Sequence, residues 1–413
     1  MKIRKGYKKT EIGRIPKEWE VVKLEEIISS LYNGIWGETP IKQEKSYPVI
    51  RSTEITHDGK IDLSNVAFRR IPDEKVDRYS LKEGDILLVA SSGSSRLIGR
   101  AAIFKQSREG EVYLFSNFML RVRPKNVDSI FLYYYLNSSQ YYRFLKSLQQ
   151  TSTGLRNLPK REVVKFKLPL PPLPEQRKIA EILSTVDETI EKVDEAIAKT
   201  ERLKKGLMQN LLTKGIGHKE FKDTEIGRIP KEWEVVRLVE IVDIFDKKRI
   251  PLSEIERSKM KGKFPYCGAN GIIDYINDFI FDGKFLLLAE DGGNFKAFGQ
   301  KAYLMFGKFW ANNHVHVLKA LSSLCSEEFL LYMLNFMDLK SWVVGSTRKK
   351  LNQGDMKKIP IPLPPLPEQK KIAEILSTVD KRLELLKNKK EKLKRIKKGL
   401  MNDLLTGKMR VKV

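Results

Sequence analysis

Two histidines, His314 and His316, alternate along a segment with strand character, which places both imidazoles on one face of a strand. Such a pair is half of a metal site. No cluster of further ligands accompanies it in the sequence, and a structural pair is the favoured reading. Cys267 and Cys325 are the only cysteines, so neither a disulfide framework nor a four-cysteine zinc site is available, which suits a reducing compartment. An adenine methyltransferase needs Asn or Asp before Pro-Pro-Tyr or Pro-Pro-Phe to hold an exocyclic amine, and that motif is absent. A phosphate-cradling GxxxxGK[ST] loop is missing as well. The single Pro-Asp pair, Pro72-Asp73, has no separate Asp/Glu-x-Lys shortly after it, so a metal-dependent nuclease core is unsupported. The residues point to binding rather than to reaction, with no catalytic and no metal site expected.

The charge says what is bound. Across 413 residues, 77 Lys and Arg face 52 Asp and Glu, a net +25 with an isoelectric point near 9.7. Such a surplus fits a polyanion, most simply double-stranded DNA followed over a long footprint. Polar and basic residues cluster in loops that follow apolar, strand-like runs. In the first half these are Ser94, Ser95, Arg96 and Arg100, then Thr153, Arg156 and Asn157. In the second half they are Asn294, Lys296, Lys301, Thr347, Arg348, Lys349 and Lys350. Two aromatic helices, around Ser129 to Leu148 and Glu327 to Trp342, read as core rather than as stacking platforms for bases.

The elements that must hold these loops are repeated. Thr10 to Val22 (TEIGRIPKEWEVV) returns unchanged as Thr224 to Val236. Leu168 to Asp187 (LPLPPLPEQRKIAEILSTVD) returns as Ile361 to Asp380, and Lys204 to Thr213 (KKGLMQNLLT) returns as Lys397 to Thr406, each with two changes. Between the copies lie blocks with little alignable identity. Near-identical frames around dissimilar inserts imply one structural or partner-binding task done twice and two different ligands read.

The prolines at 169, 171, 172 and 174 form a stiff extended lead. After it, Ile179, Leu183, Val186, Ile190, Val193 and Ile197 follow a 4,3 spacing that continues to Leu207 and Leu211. The second copy runs through Ile372, Leu376, Val379, Leu383, Leu386 and Leu393. Each helix of about 38 residues would reach roughly 55 Å. Each stripe needs a partner, and the other copy supplies one. The expected fold is α+β: two small mixed α/β domains joined by two long helices that pair as an antiparallel coiled coil with pseudo-twofold symmetry. The expected boundaries are 1–167 for the first domain, 168–215 for the first repeated region, 216–360 for the second domain and 361–413 for the second repeated region. The first residues, MKIRKGYKKTEIG, contain no apolar signal region, and no run of about 18 apolar residues occurs, so a cytoplasmic location is expected.

The frame PLPPLPEQ, the long heptad helix after it and the TEIGRIPKEWEVV leader, twice around dissimilar blocks, resemble the specificity subunit of type I restriction-modification enzymes. The resemblance implies that each block is a target recognition domain for one half of a bipartite, gapped DNA sequence, with the helices as spacer. It also implies two methyltransferase subunits docked on the repeats, forming an adenine-N6 methyltransferase, and restriction subunits joined through that core. S-adenosylmethionine, ATP and Mg would belong to those partners and none to this chain. A stand-alone coiled-coil DNA-binding or adaptor protein, and a silent copy that donates recognition domains, are the competing readings.

Overall fold

The computed structural model describes residues 6–42, 44–56, 58–94, 97–105, 110–149, 157–345 and 349–412. The chain forms two compact units, one made of residues 1–192 and 390–413, the other of residues 193–389. Each unit therefore contains one unique block, one end of each long helix and one copy of the leader.

The leader folds the same way twice. A hairpin joins Tyr7–Thr10 to Gly13–Pro16, and its copy joins Phe221–Thr224 to Gly227–Pro230. Gly13 and Gly227 turn these hairpins at φ of 119° and 105°, a region open to glycine at no steric cost. Trp19 and Trp233 follow and are fully buried. The next strand, Glu20–Lys23 or Glu234–Arg237, pairs antiparallel with the proline-rich strand Lys167–Leu170 or Pro360–Leu363. Each of these ladders has only two strands, so a proline without an N–H is tolerated there. The lead is thus shorter than its prolines suggest. The first long helix opens at Leu173, and Pro174 sits in its first turn, where an N–H would have no helical partner anyway.

The two blocks share a strand order that their sequences do not announce. In the first unit the antiparallel sheet runs Ile28–Asn33, Met119–Pro124, Ile86–Val89, Ala101–Ile103. In the second, the same positions are taken by Val242–Ile244, Val315–Ala320, Phe281–Ala289 and Ala302–Ala311, and Lys261–Gly268 and Gly271–Ile276 extend the sheet to six strands. Ile86–Val89 is buried along its length, as is Phe285–Ala289, which explains why both read as unbroken apolar runs. A capped helix packs beside each sheet. Asp128 accepts a hydrogen bond from the amide of Phe131 at the start of Ser129–Tyr135, and Ser326 accepts one from Phe329 at the start of Glu327–Phe336. Phe131 to Leu136 and Phe329, Leu330 and Tyr332 to Leu334 are buried, so these aromatics are core.

The long helices span Leu173–Lys214 and Leu366–Leu404. Within the first unit, Glu175 meets Arg410 while Asp187 meets Lys397. Within the second, Glu201 meets Lys387, Lys204 meets Asp380, and the amide of Ile216 meets Glu368. In both units a later position on the first helix, or just beyond it, meets an earlier position on the second helix, or just beyond it, so the pairing is antiparallel. Ile179, Leu183, Ile372 and Leu376 are fully buried, and Val193 and Leu383 nearly so. Val186, Ile190, Ile197, Val379, Leu386 and Leu393 are half-buried, as a two-helix seam allows. Toward the end of the first helix the buried face moves from Leu207 and Leu211 to Met208 and Leu212. An α-helix drifts about 20° per heptad from a strict 3.5-residue repeat, which accounts for that displacement.

Candidate nucleic-acid interface

Each unit presents a pair of loops from the end of its central strand. In the first unit the amides of Ala90 and Ser91 donate to the carbonyl of Phe118, and the amide of Leu158 donates to Ala90 at 2.7 Å. Ser91 also bridges to Asn157. In the second unit the amide of Glu290 donates to His314, the amide of Leu351 donates to Glu290 at 2.6 Å, and Asp291 bridges to Lys350. The same backbone scheme therefore brings the loop after residue 90 to residue 157, and the loop after residue 290 to residue 350.

Of the residues expected in these loops, Ser94 and Asn157 are exposed in the first unit, and Asn294, Lys296, Lys349 and Lys350 are exposed in the second. The Lys350 ammonium lies 2.9 Å from Glu290, so part of its charge is already balanced. Ser95, Arg96, Thr153, Arg156, Thr347 and Arg348 lie outside the described residues.

Two of the expected residues are placed away from the loop surface. Arg100 and Lys301 hold equivalent places, each accepting through its carbonyl the amide of the central strand, Val89 and Ala289 respectively. Both side chains turn inward. Arg100 is 9% exposed, lines a cavity of about 470 Å³, and has its guanidinium 3.4 Å from the Thr56 carbonyl. Lys301 is 1% exposed and donates to the carbonyls of Leu334, Asn335 and Met337 at 2.9–3.2 Å, where the helix Glu327–Phe336 ends. Burial draws its pKa down to about 8, against a weaker opposing pull from Asp338, so the ammonium is still charged at neutral pH. It is a helix C-cap built from a side chain. Replacing Lys301 by Met removes three charge-assisted hydrogen bonds and is expected to cost the second unit about 2–3 kcal/mol. Thermal melting should fall by several degrees while affinity for duplex DNA stays within twofold. A weakened affinity without loss of stability would restore the lysine to the interface.

Sequence reasoning missed Phe118, an exposed aromatic at the mouth of the first loop pair whose backbone place is taken by His314 in the second unit. No sequence signal separates it from the buried aromatics around it. The two histidines point apart in partnership. His314 Nδ1 lies 2.9 Å from Asp291, while His316 is fully buried with Nδ1 2.6 Å from Asp246 and Nε2 2.8 Å from the carbonyl of Leu351. Among the described residues, Asp246, Glu290 and His316 form the one cluster with metal-ligand spacing. Its acids are already engaged. Arg249 reaches Glu290 at 2.5 Å, Lys350 reaches it at 2.9 Å, and Asp246 accepts from Gln353 and the Val317 amide. Burial alone would raise the carboxyl pKa values of Asp246 and Glu290. The bond from His316 to Asp246, and those from Lys350 and Arg249 to Glu290, outweigh burial and hold both acids below their ordinary range. The cluster is a charge-balanced support beneath the loop base. Cys267 and Cys325 are buried, and burial pushes both thiols up to about 12, far from thiolate chemistry.

The blocks are pinned to the frame by residues that sequence reasoning did not single out. Gln176 in the first repeat accepts the amide of Asp128 and donates to Pro171, and Gln369 in the second accepts the amide of Ser326 and donates to Pro364. Asn137 and Asn335 clasp the backbone of Ala101 and Ala302. The signal was present: Phe131-Leu132-x-Tyr134-x-Leu136-Asn137 matches Phe329-Leu330-x-Tyr332-x-Leu334-Asn335.

Known proteins share this arrangement. The model of the type I restriction modification DNA specificity domain matches residues 16–202 and again 230–395. Two Methanocaldococcus jannaschii proteins described as type I restriction enzyme specificity subunits, MjaX and MjaVIII, are each 32% identical to this chain. The first alignment covers 98% of this chain and 97% of the relative, the second 97% and 95%. The solved S subunit of a type I restriction-modification system from M. genitalium superposes with a TM-score of 0.60 at 16% identity, covering 98% of both chains, which speaks for the fold. With both halves matched by the model and relatives aligned from end to end, the chain belongs to the type I restriction-modification DNA specificity family.

Proposed function

We propose that each unit reads one half of a bipartite, gapped sequence in double-stranded DNA through its loop pair, and that the two long helices set the gap. The observation that carries this reading is the pairing of one backbone scheme with two unrelated loop sequences: Ser91–Ser94 with Asn157 in one unit, Asp291–Lys296 with Lys349 and Lys350 in the other. A shared scaffold with divergent loops is how one architecture reads two different sequences. The net +25 supplies the sequence-independent attraction to phosphates.

The repeated frame docks two methyltransferase subunits, and restriction subunits join through them. S-adenosylmethionine, ATP and Mg bind those partners, and this chain contributes specificity without chemistry of its own. The complex works in the cytoplasm. Among the described residues no helix is long and apolar enough to cross a membrane.

The test is to co-express the chain with the methyltransferase subunit from its own locus and to map N6-methyladenine across the host genome. A two-part gapped motif that vanishes without this chain is the expected result. A complex that forms yet methylates no motif would mark a silent donor copy, and failure to form the complex would mark a stand-alone adaptor.

A further inference from the structure

A three-residue cluster occurs once in each unit. In the first, the Tyr134 hydroxyl donates to Asp187 at 2.8 Å, Lys397 Nζ lies 2.6 Å from the same carboxylate, and the ammonium stands 5.4 Å from the Tyr134 ring centroid. In the second, Tyr332 donates to Asp380 at 2.8 Å, Lys204 Nζ lies 2.5 Å away, and its ammonium stands 5.6 Å from the Tyr332 ring. The tyrosine belongs to the helix that carries the recognition sheet, the aspartate to one long helix and the lysine to the other. Tyr134 and Tyr332 are 3% and 6% exposed, and both pairs are partly shielded from solvent, so screening is weaker than for a surface pair.

We infer that these two Tyr–Asp–Lys clusters are positioning locks that fix how each recognition domain is seated on the paired helices, and thereby fix the gap between the half-sites that the protein accepts. The inference rests on the proposed reading of a gapped target. A hydrophobic seam alone tolerates sliding and rolling, because apolar contacts have no direction. The carboxylate removes that freedom. It accepts a bond from the domain and an ion pair from the opposite helix at once, so a slip of one helical turn, about 5.4 Å, breaks the ion pair, and a roll of the domain breaks the tyrosine bond. Gln176 and Gln369, by contrast, join their domain to the proline lead of their own copy. Each apolar core also touches both long helices, but among the described residues the Tyr–Asp–Lys cluster ties a domain to both through a hydrogen bond and an ion pair. Its hydrogen bonds and ion pairs run between helices, so its effect on specificity would act through placement.

The test uses the complete complex with Asp187→Asn and Asp380→Asn together and, as a milder pair, Tyr134→Phe with Tyr332→Phe, whose rings still fill the same space. Genome-wide adenine methylation is read as a distribution of gap lengths. The expected result is unchanged half-sites, with methylation at gaps one base pair longer or shorter rising about tenfold relative to the native gap, a free-energy change of about 1.4 kcal/mol. Exchanging the partners, Asp187→Lys with Lys397→Asp and Asp380→Lys with Lys204→Asp, should narrow the distribution again. A distribution as sharp as that of the native protein in both variants, whether or not melting temperature falls, would overturn the lock and leave the clusters as ordinary packing. Should the native complex itself show no gapped motif, the functional reading fails instead, so the two failures are distinguishable.

Discussion

Ending the chain at Thr406 should lower the melting temperature of the first unit by about 6–12 °C and leave the second nearly unchanged. Residues 407–412 close that unit. The Tyr7 hydroxyl donates to the Gly407 carbonyl, and Arg410 grips Glu175 through two nitrogens at 2.7 and 3.0 Å and reaches Glu18. Glu175 is 3% exposed and, among the described residues, its side chain otherwise meets the indole N–H of Trp19. Removing one partner of a buried ion pair costs 3–5 kcal/mol, and because Arg410 is itself 38% open to solvent, about 3 kcal/mol is the appropriate figure. The second unit is independent of this tail, because Glu368 there takes Trp233, the amide of Ile216 and His218. Calorimetry resolves the two transitions. A truncated chain that melts like the full one would show that the tail is not a closing strap, and a loss in both units would show that they do not melt independently.

Inserting one heptad between Ile190 and Thr200 and another between Leu383 and Leu393 should lengthen the recognised gap by about 3 base pairs. Seven residues add about 10.5 Å of helix, and base pairs rise 3.4 Å each. A whole heptad keeps Ile179, Leu183, Ile372 and Leu376 facing the seam, whereas three or five residues would turn the stripe away. Methylome mapping reads the gap directly. An unchanged gap with intact half-sites would show that the helices do not act as the ruler.

Much of the frame was legible because its signals are local and repeated. The 4,3 stripe from Ile179 to Ile197, its copy from Ile372, and the leader around Trp19 and Trp233 can each be read without knowing what they touch. The antiparallel sense came from the order of the repeats and is borne out by Asp187 with Lys397 and Lys204 with Asp380. The shared strand order of the two blocks was hidden, because a buried strand needs only apolar residues, and the Leu-Leu pair that Ile86–Val89 shares with Leu286–Ala289 is too short to set a partner. The interface was legible only in part. Arg100 and Lys301 looked like loop cations because a sequence does not reveal which way a side chain turns at a strand edge, and the carbonyls that capture Lys301 are more than 30 residues away. Tyr134 and Tyr332 read as core from the sequence, and they are buried. Their second role required the aspartate and the lysine to be brought from opposite ends of two helices.

The measurement that tests the central claim most directly replaces residues 242–359 with residues 28–166, giving a chain with two first blocks. The junctions correspond, because Leu24 donates to the carbonyl of Phe166 as Leu238 donates to that of Ile359. Co-expressed with its methyltransferase, this chain should methylate a gapped motif whose two halves are inverted copies of the native first half-site. A motif that keeps the native second half, or has halves unrelated to each other, would contradict the assignment of one half-site to each unit.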